Sequence, residues 1–124
     1  MGLTFYWFTE YQVIMQDSGS FVSHPYCSDI ILTGGDNTSH GYGNSGDLME
    51  LFKKVTGLDF PVINTYSIKS ENDDVGLINP SKMTEYCDML LKNKSVDELD
   101  LRDRIEWFKE LSEQGYYIAY DSGL

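Results

Sequence analysis

The stretch 95–120, SVDELDLRDRIEWFKELSEQGYYIAY, carries the clearest structural signal in the chain. Ser95 and Glu98 have the spacing of a capping box, so we expect a helix to begin there and to run to about Gln114. Gly115 predicts the end of that helix. The aromatic and apolar residues that follow predict a β-strand. This stretch therefore predicts a helix followed directly by a strand.

One face of the predicted helix is apolar. Leu101, Ile105, Phe108 and Leu111 recur at helical spacing, with Trp107 at the border of this face. We expect these residues to form the side that packs on the core.

The opposite face of the same helix is acidic. At about 100° per residue, its acids fall within one narrow arc, which we call the acidic ridge: Asp103, Glu106, Glu110 and Glu113. Three bases, Arg102, Arg104 and Lys109, lie outside the arc and are expected not to neutralise it. An acidic ridge can meet a basic groove on another protein, and Tyr116 is a neighbouring contact candidate. The plainer interpretation is an ordinary solvated helix face.

The remaining segments complete an α+β pattern. Strands are predicted over 3–9, 11–15, 28–33 and 60–68; helices are predicted over 46–56, with Ser45 as cap, and from Pro80, with Asn79 as cap. The glycine-rich segment 34–46 is predicted to be a loop. We therefore expect a single α+β domain over 1–124, with a mostly antiparallel sheet packed against about three helices.

The charge balance limits the classes of partner. Twenty acids against nine bases give a formal charge of −11. Phosphate backbones and anionic membranes repel such a surface, whereas a basic protein is attracted to it. The chain has neither a long apolar run nor a secretory signal, which predicts a cytoplasmic protein without membrane contact.

The glycine-rich loop offers a second kind of site. The segment 41–46, GYGNSG, matches G-x-G-x-x-G before a helix, where free backbone N–H groups can hold a phosphate. The alternative hypothesis is therefore a small-ligand or nucleotide-binding domain, whose candidate ligand-binding residues are Gly41, Gly43, Ser45 and Gly46. The segment does not directly follow a strand, and Tyr66 and Ser67 stand where a dinucleotide fold needs an acid. A flexible loop with a helix cap is the favoured interpretation.

Metal and catalytic signatures are weak. His24, Cys27, His40 and Cys87 do not form the two closely spaced ligand pairs of structural zinc. An EF-hand centred on Gly76 fails, because it puts valine and lysine at ligand positions. The sequence also carries no nucleophile elbow or zinc-protease motif. We therefore predict no catalytic residues, no metal, no cofactor and two reduced cysteines.

The order of these segments along the chain resembles that of a group of small proteins. The opening Met1-Gly2-Leu3, the central glycine and serine segment, the run 70–76 and Asn79-Pro80 before a helix resemble small acidic bacterial and phage proteins that carry no assigned activity. This resemblance implies that the protein is an inhibitor, either an immunity protein or a phage anti-defence (anti-CRISPR-like) protein. The leading hypothesis is a stoichiometric inhibitor that covers a basic surface of a toxin or a host defence protein. The oligomeric state stays open.

Overall fold

The computed structural model describes residues 4–16, 26–38, 45–63 and 76–121, and in these ranges it confirms the α+β class. The described strands are β1 (Thr4–Phe8), β2 (Glu10–Gln16), β3 (Tyr26–Thr33), β4 (Asp36–Thr38), β5 (Val62–Ile63) and β6 (Tyr117–Asp121). The described helices are α1 (Ser45–Thr56), α2 (Pro80–Leu91), α3 (Ser95–Glu98) and α4 (Arg102–Glu113).

The first four strands form one long, bent hairpin. β1 and β2 are successive halves of one arm, and β4 and β3 are the halves of the other. The pairing keeps one register from Phe5 opposite Thr38 to Ile14 opposite Asp29. The two halves nevertheless belong to different sheets, because the hairpin bends after β1.

Two glycines make the bend possible. Gly34 has φ +74°, a backbone conformation that residues with a side chain rarely adopt. A Cβ at Gly35 would overlap the carbonyl oxygen of Trp7 and lie 2.5 Å from the Cα of Phe8. Thr9 fixes the other arm, since its N–H and its hydroxyl both donate to the carbonyl of Thr33, at 3.0 and 3.1 Å.

The expectation of a loop over 34–46 is wrong at its start. Residues Asp36–Thr38 form β4, which pairs antiparallel with β1. These polar residues have low intrinsic strand propensity, and the ladder with β1 decides their conformation. The rest of that loop, 39–44, lies outside the described residues.

The main sheet has the strand order β4-β1-β6-β5. β1 is antiparallel to both neighbours, whereas β5 runs parallel to β6. The expectation of a mostly antiparallel sheet is therefore confirmed. Of the strand predicted over 60–68, Val62–Ile63 is β5 and residues 64–68 fall outside the described ranges.

The core lies between the main sheet and the helices. Phe5 from β1 meets Phe108 from α4 at 5.3 Å and Phe60 at 6.2 Å, measured between ring centroids. α2 packs along α4, and the Thr84 hydroxyl donates to the Ser112 hydroxyl at 2.9 Å between them. The apolar face predicted for the last helix is confirmed, because Leu101, Ile105, Phe108 and Leu111 are all buried.

The last helix is not continuous, because α3 ends at Glu98 and α4 begins at Arg102. The capping box predicted at Ser95 is also wrong, because Lys94 is at the N-cap of α3 and Ser95 is its first residue. The Ser95 N–H donates to the side-chain oxygen of Asn93 at 2.9 Å. The short α3 ends in a Schellman motif, in which the Leu101 N–H donates to the Val96 carbonyl at 2.8 Å. Asp100 takes the left-handed position of this motif, with φ +57°. The break buries Val96 and Leu101 together.

Candidate functional site

The acidic ridge faces away from the core. All four of its carboxylate residues are exposed, while the opposite side of α4 is buried against the sheet and α2. Backbone hydrogen bonds of α4 and its buried apolar face hold the ridge in one orientation. The structure thus places the predicted ridge residues together on one outward surface.

Two bases lie along one side of the acidic ridge. The expectation that no base pairs with the ridge on its own helix is therefore wrong. Arg102 lies 3.8 Å from Glu106, and Lys109 lies 4.0 Å from Glu113. Both pairs have the i, i+4 spacing at which helix side chains meet. Two of the four ridge carboxylates therefore have a cation within reach on their own helix.

These two bases make closer contacts elsewhere. Arg102 donates to both carboxylate oxygens of Asp97, at 2.6 and 3.0 Å, and Lys109 lies 2.7 Å from Asp88. The hydrogen bond to Asp97 raises the pKa of Arg102 and lowers that of Asp97, and the hydrogen bond to Asp88 raises the pKa of Lys109.

The whole flank keeps a negative charge. Its six carboxylates and two cations leave a formal charge of −4: the acids are Asp88, Asp97, Asp103, Glu106, Glu110 and Glu113, and the bases are Arg102 and Lys109. Within the described ranges, Asp103 and Glu110 make no ion pair. The bases therefore reduce the field of the ridge without cancelling it.

The other flank of the ridge is aromatic. Trp107 lies four residues after Asp103 and three before Glu110, so it is their neighbour on the helix surface. Its ring meets the ring of Trp7 edge to face, with the centroids 5.0 Å apart. Both tryptophans are half-buried. This contact joins α4 to β1.

An open cleft lies where the hairpin bends, next to Trp7. Its volume is about 190 Å³, and its lining residues are Tyr6, Trp7, Leu32, Gly35, Asp36 and Asn37. Pockets for cofactors and drug-sized ligands usually measure about 300 Å³ or more, so this cleft suits a single side chain better. The Asn37 N–H donates to the Asp36 carboxylate at 2.8 Å and orients it. Sequence reasoning missed this site, because only strand pairing brings its residues together.

Tyr116 has a structural contact that the sequence did not predict. Its N–H donates to the Leu111 carbonyl at 3.1 Å, and Gly115, with φ +92°, precedes it. This is the Schellman end of α4. The half-buried Tyr116 side chain packs against the hydrophobic core.

The alternative anion site is described only in part. Gly41 and Gly43 lie outside the described residues, and Ser45 is the first residue of α1. Gly46 is exposed, and a Cβ there would meet nothing within 4 Å. Asp47 occupies the first turn of α1. A carboxylate at this end competes with an anion for the helix dipole, so the described part does not favour phosphate binding.

The thiol of Cys87 is buried in the core. It is 1% exposed, and burial raises its pKa from 9.0 to about 12. No group of three potential metal ligands occurs among the residues that the structure describes. His24 and His40 lie outside those residues, as does the side chain of Cys27.

We expect Cys87 to be unreactive in the folded protein. With a pKa of about 12, its thiolate fraction at pH 8 is roughly 10³-fold below that of the unfolded chain. A Cys27→Ser variant at pH 8 should therefore show slow reaction with a disulfide reagent and fast reaction in guanidinium. The pKa of Cys87 is higher in the folded protein than in the unfolded chain. The contribution of the neutral thiol to the free energy of unfolding is therefore fully present below pH 9 and is lost as the pH rises towards 12. Equal reaction rates in both solvents would contradict this burial.

Comparison with protein-family models, curated proteins and solved structures gives no match for this chain. Among the described helices, none combines the length and the apolar character that crossing a membrane requires.

Proposed function

We propose that this protein is a stoichiometric inhibitor that binds a basic functional surface of another protein and blocks access to it. The observation that carries the proposal is the acidic ridge, which α4 presents as four exposed carboxylates on a helix anchored in the core. Inhibition of this kind needs rigid coverage and no catalytic group. A bacterial toxin or a host defence protein in the cytoplasm is the proposed kind of target.

The ion pairs within the ridge leave it able to bind a partner. Each joins an exposed glutamate to a half-buried base at 3.8 or 4.0 Å, and such surface pairs contribute about 0–1 kcal/mol. A basic partner can therefore bind Glu106 and Glu113, because breaking their ion pairs costs little free energy. Arg102 and Lys109 keep their shorter contacts to Asp97 and Asp88.

Electrostatic attraction also acts before contact. A formal charge of −11 on a chain of 124 residues attracts a basic protein from a distance, and such steering raises association rates by about 10 to 10³-fold. The effect weakens as salt screens the field. We therefore expect an association rate that falls steeply with ionic strength.

The experiment mixes the protein with basic proteins encoded by neighbouring genes and measures complex formation by size-exclusion chromatography. One complex of fixed stoichiometry that abolishes the partner's activity is expected. If every such partner elutes separately, the proposal is wrong. A thermal-shift screen with phosphates and nucleotides tests the alternative ligand site, because a bound ligand raises the melting temperature.

We expect charge removal on the ridge to slow binding. Asp103→Asn, Glu106→Gln, Glu110→Gln and Glu113→Gln together remove four negative charges, which changes the formal charge from −11 to −7. The association rate with the partner at low salt should fall by about tenfold or more. Stopped-flow or surface plasmon resonance measures this rate.

The matched control removes the same charge from other exposed acids. Asp47→Asn, Glu50→Gln, Asp59→Asn and Glu85→Gln also give −7, but on α1, on the loop after it and on α2. If both variants slow association equally, net charge alone is responsible and the ridge is not the contact surface.

A further inference from the structure

We propose that the surface around Trp7, Trp107 and Asp36 receives an arginine side chain of the basic partner. This inference rests on the proposed function and names the contact at its centre. Three observations carry it: the contact between the two indoles, the open cleft beside Trp7, and the carboxylates that border both.

Carboxylates on two separate elements lie next to the aromatic pair. Asp36 is directly opposite Trp7 in the β1–β4 register and lines the same cleft. Asp103 and Glu110 border Trp107 on α4. The 5.0 Å contact between the indoles links Trp7, which lines the cleft, to Trp107, which borders the acidic ridge.

The chemistry of this surface suits a guanidinium group. Tryptophan is the best aromatic acceptor for a cation, and arginine stacks on aromatic rings while its fork binds a carboxylate. The chain already uses the same kind of contact, since the Arg104 guanidinium lies 5.6 Å from the centroid of the Phe5 ring. The cleft of about 190 Å³ is below the size of a small-molecule pocket, which favours a single side chain.

The two indoles are also partly buried and partly exposed, as an anchor residue of a protein interface needs to be. Both are half-buried, so each is fixed by the core and still offers part of its ring to the surface. Tryptophan, tyrosine and arginine are enriched among the few residues that carry most of the binding energy in protein interfaces. The carboxylates of the ridge then form the outer, steering part of the same interface.

The test uses two capped peptides of equal charge, hexa-arginine and hexa-lysine, as probes. The chain has two tryptophans, so its ¹H–¹⁵N spectrum has two indole signals that report on this surface. We expect hexa-arginine to shift both indole signals and the Asp36 amide, and to bind about threefold tighter than hexa-lysine.

Asp36→Asn should weaken hexa-arginine binding about threefold, whereas Asp47→Asn on α1 should leave it unchanged. Both are exposed positions, so the fold is retained. Shifts confined to the amides of the acidic ridge would overturn this inference and leave the proposed function in place. Equal binding of both peptides, or no shift of either indole, would also overturn it, while the mixing experiment decides the proposed function separately.

Discussion

Replacing Phe108 by alanine is expected to lower the free energy of unfolding by about 3 to 5 kcal/mol, the usual cost of removing a buried phenylalanine ring. The side chain is 1% exposed, and its ring lies between those of Phe5 and Phe60, at 5.3 and 5.5 Å. It therefore joins α4 to β1 and to the segment before β5. The cavity left by alanine opens in the middle of this aromatic cluster.

Urea denaturation followed by circular dichroism measures the loss. Met89→Ala is the control, because Met89 is 44% exposed on α2 and its truncation should cost well under half as much. Equal losses for the two variants would show that Phe108 does not lie at the centre of the core.

The second large effect is expected at the bend of the hairpin. Gly35→Ala places a Cβ on the carbonyl oxygen of Trp7 and 2.5 Å from the Cα of Phe8. Both obstacles are backbone atoms of β1, so no side-chain rotation relieves the overlap. We expect a loss of about 3 kcal/mol, as for severe overpacking, together with a shift of the Trp7 indole signal.

Gly46→Ala is the matched control for this substitution. Gly46 lies in the first turn of α1, and a Cβ there has no atom within 4 Å. Because alanine is the better helix residue, the control should be neutral or gain up to about 1 kcal/mol. A Gly35→Ala variant that unfolds at the same urea concentration as this control would contradict the close strand approach at the bend.

The bend also affects the proposed arginine site. Gly35 and Asp36 line the cleft, and Trp7 lies between the cleft and α4. A strand forced away at Gly35 separates Asp36 from Trp7. We therefore expect Gly35→Ala to weaken hexa-arginine binding even under conditions in which the variant is folded.

Local signals in the sequence predicted the helices well where each signal acts within one turn. Asn79 accepts a hydrogen bond from the Ser81 N–H at 3.0 Å, and Pro80 begins α2, as the Asn-Pro pair predicts. Gly115 ends α4 as expected. These predictions depend on neighbouring residues alone, so no knowledge of the packing was needed.

Predictions from the sequence were wrong where another local motif, or a strand distant in the chain, decided the secondary structure. Ser95 and Glu98 have capping-box spacing, yet the Ser95 N–H donates to the Asn93 side chain, and a Schellman motif ends α3 after one turn. Asp100 takes the left-handed position that usually indicates glycine. The strand Asp36–Thr38 depends on β1, which precedes it by about 30 residues.

By itself the sequence determined the net charge, the α+β class, and the division of the last helix into an apolar and an acidic face, because composition and helical periodicity are local properties of the chain. Only the tertiary structure decided what borders the acidic face. Arg102 and Lys109 turn to acids on α3 and α2, and Trp107 meets Trp7, which lies 100 positions earlier in the chain. Such contacts follow from strand register and helix packing, which no local pattern encodes.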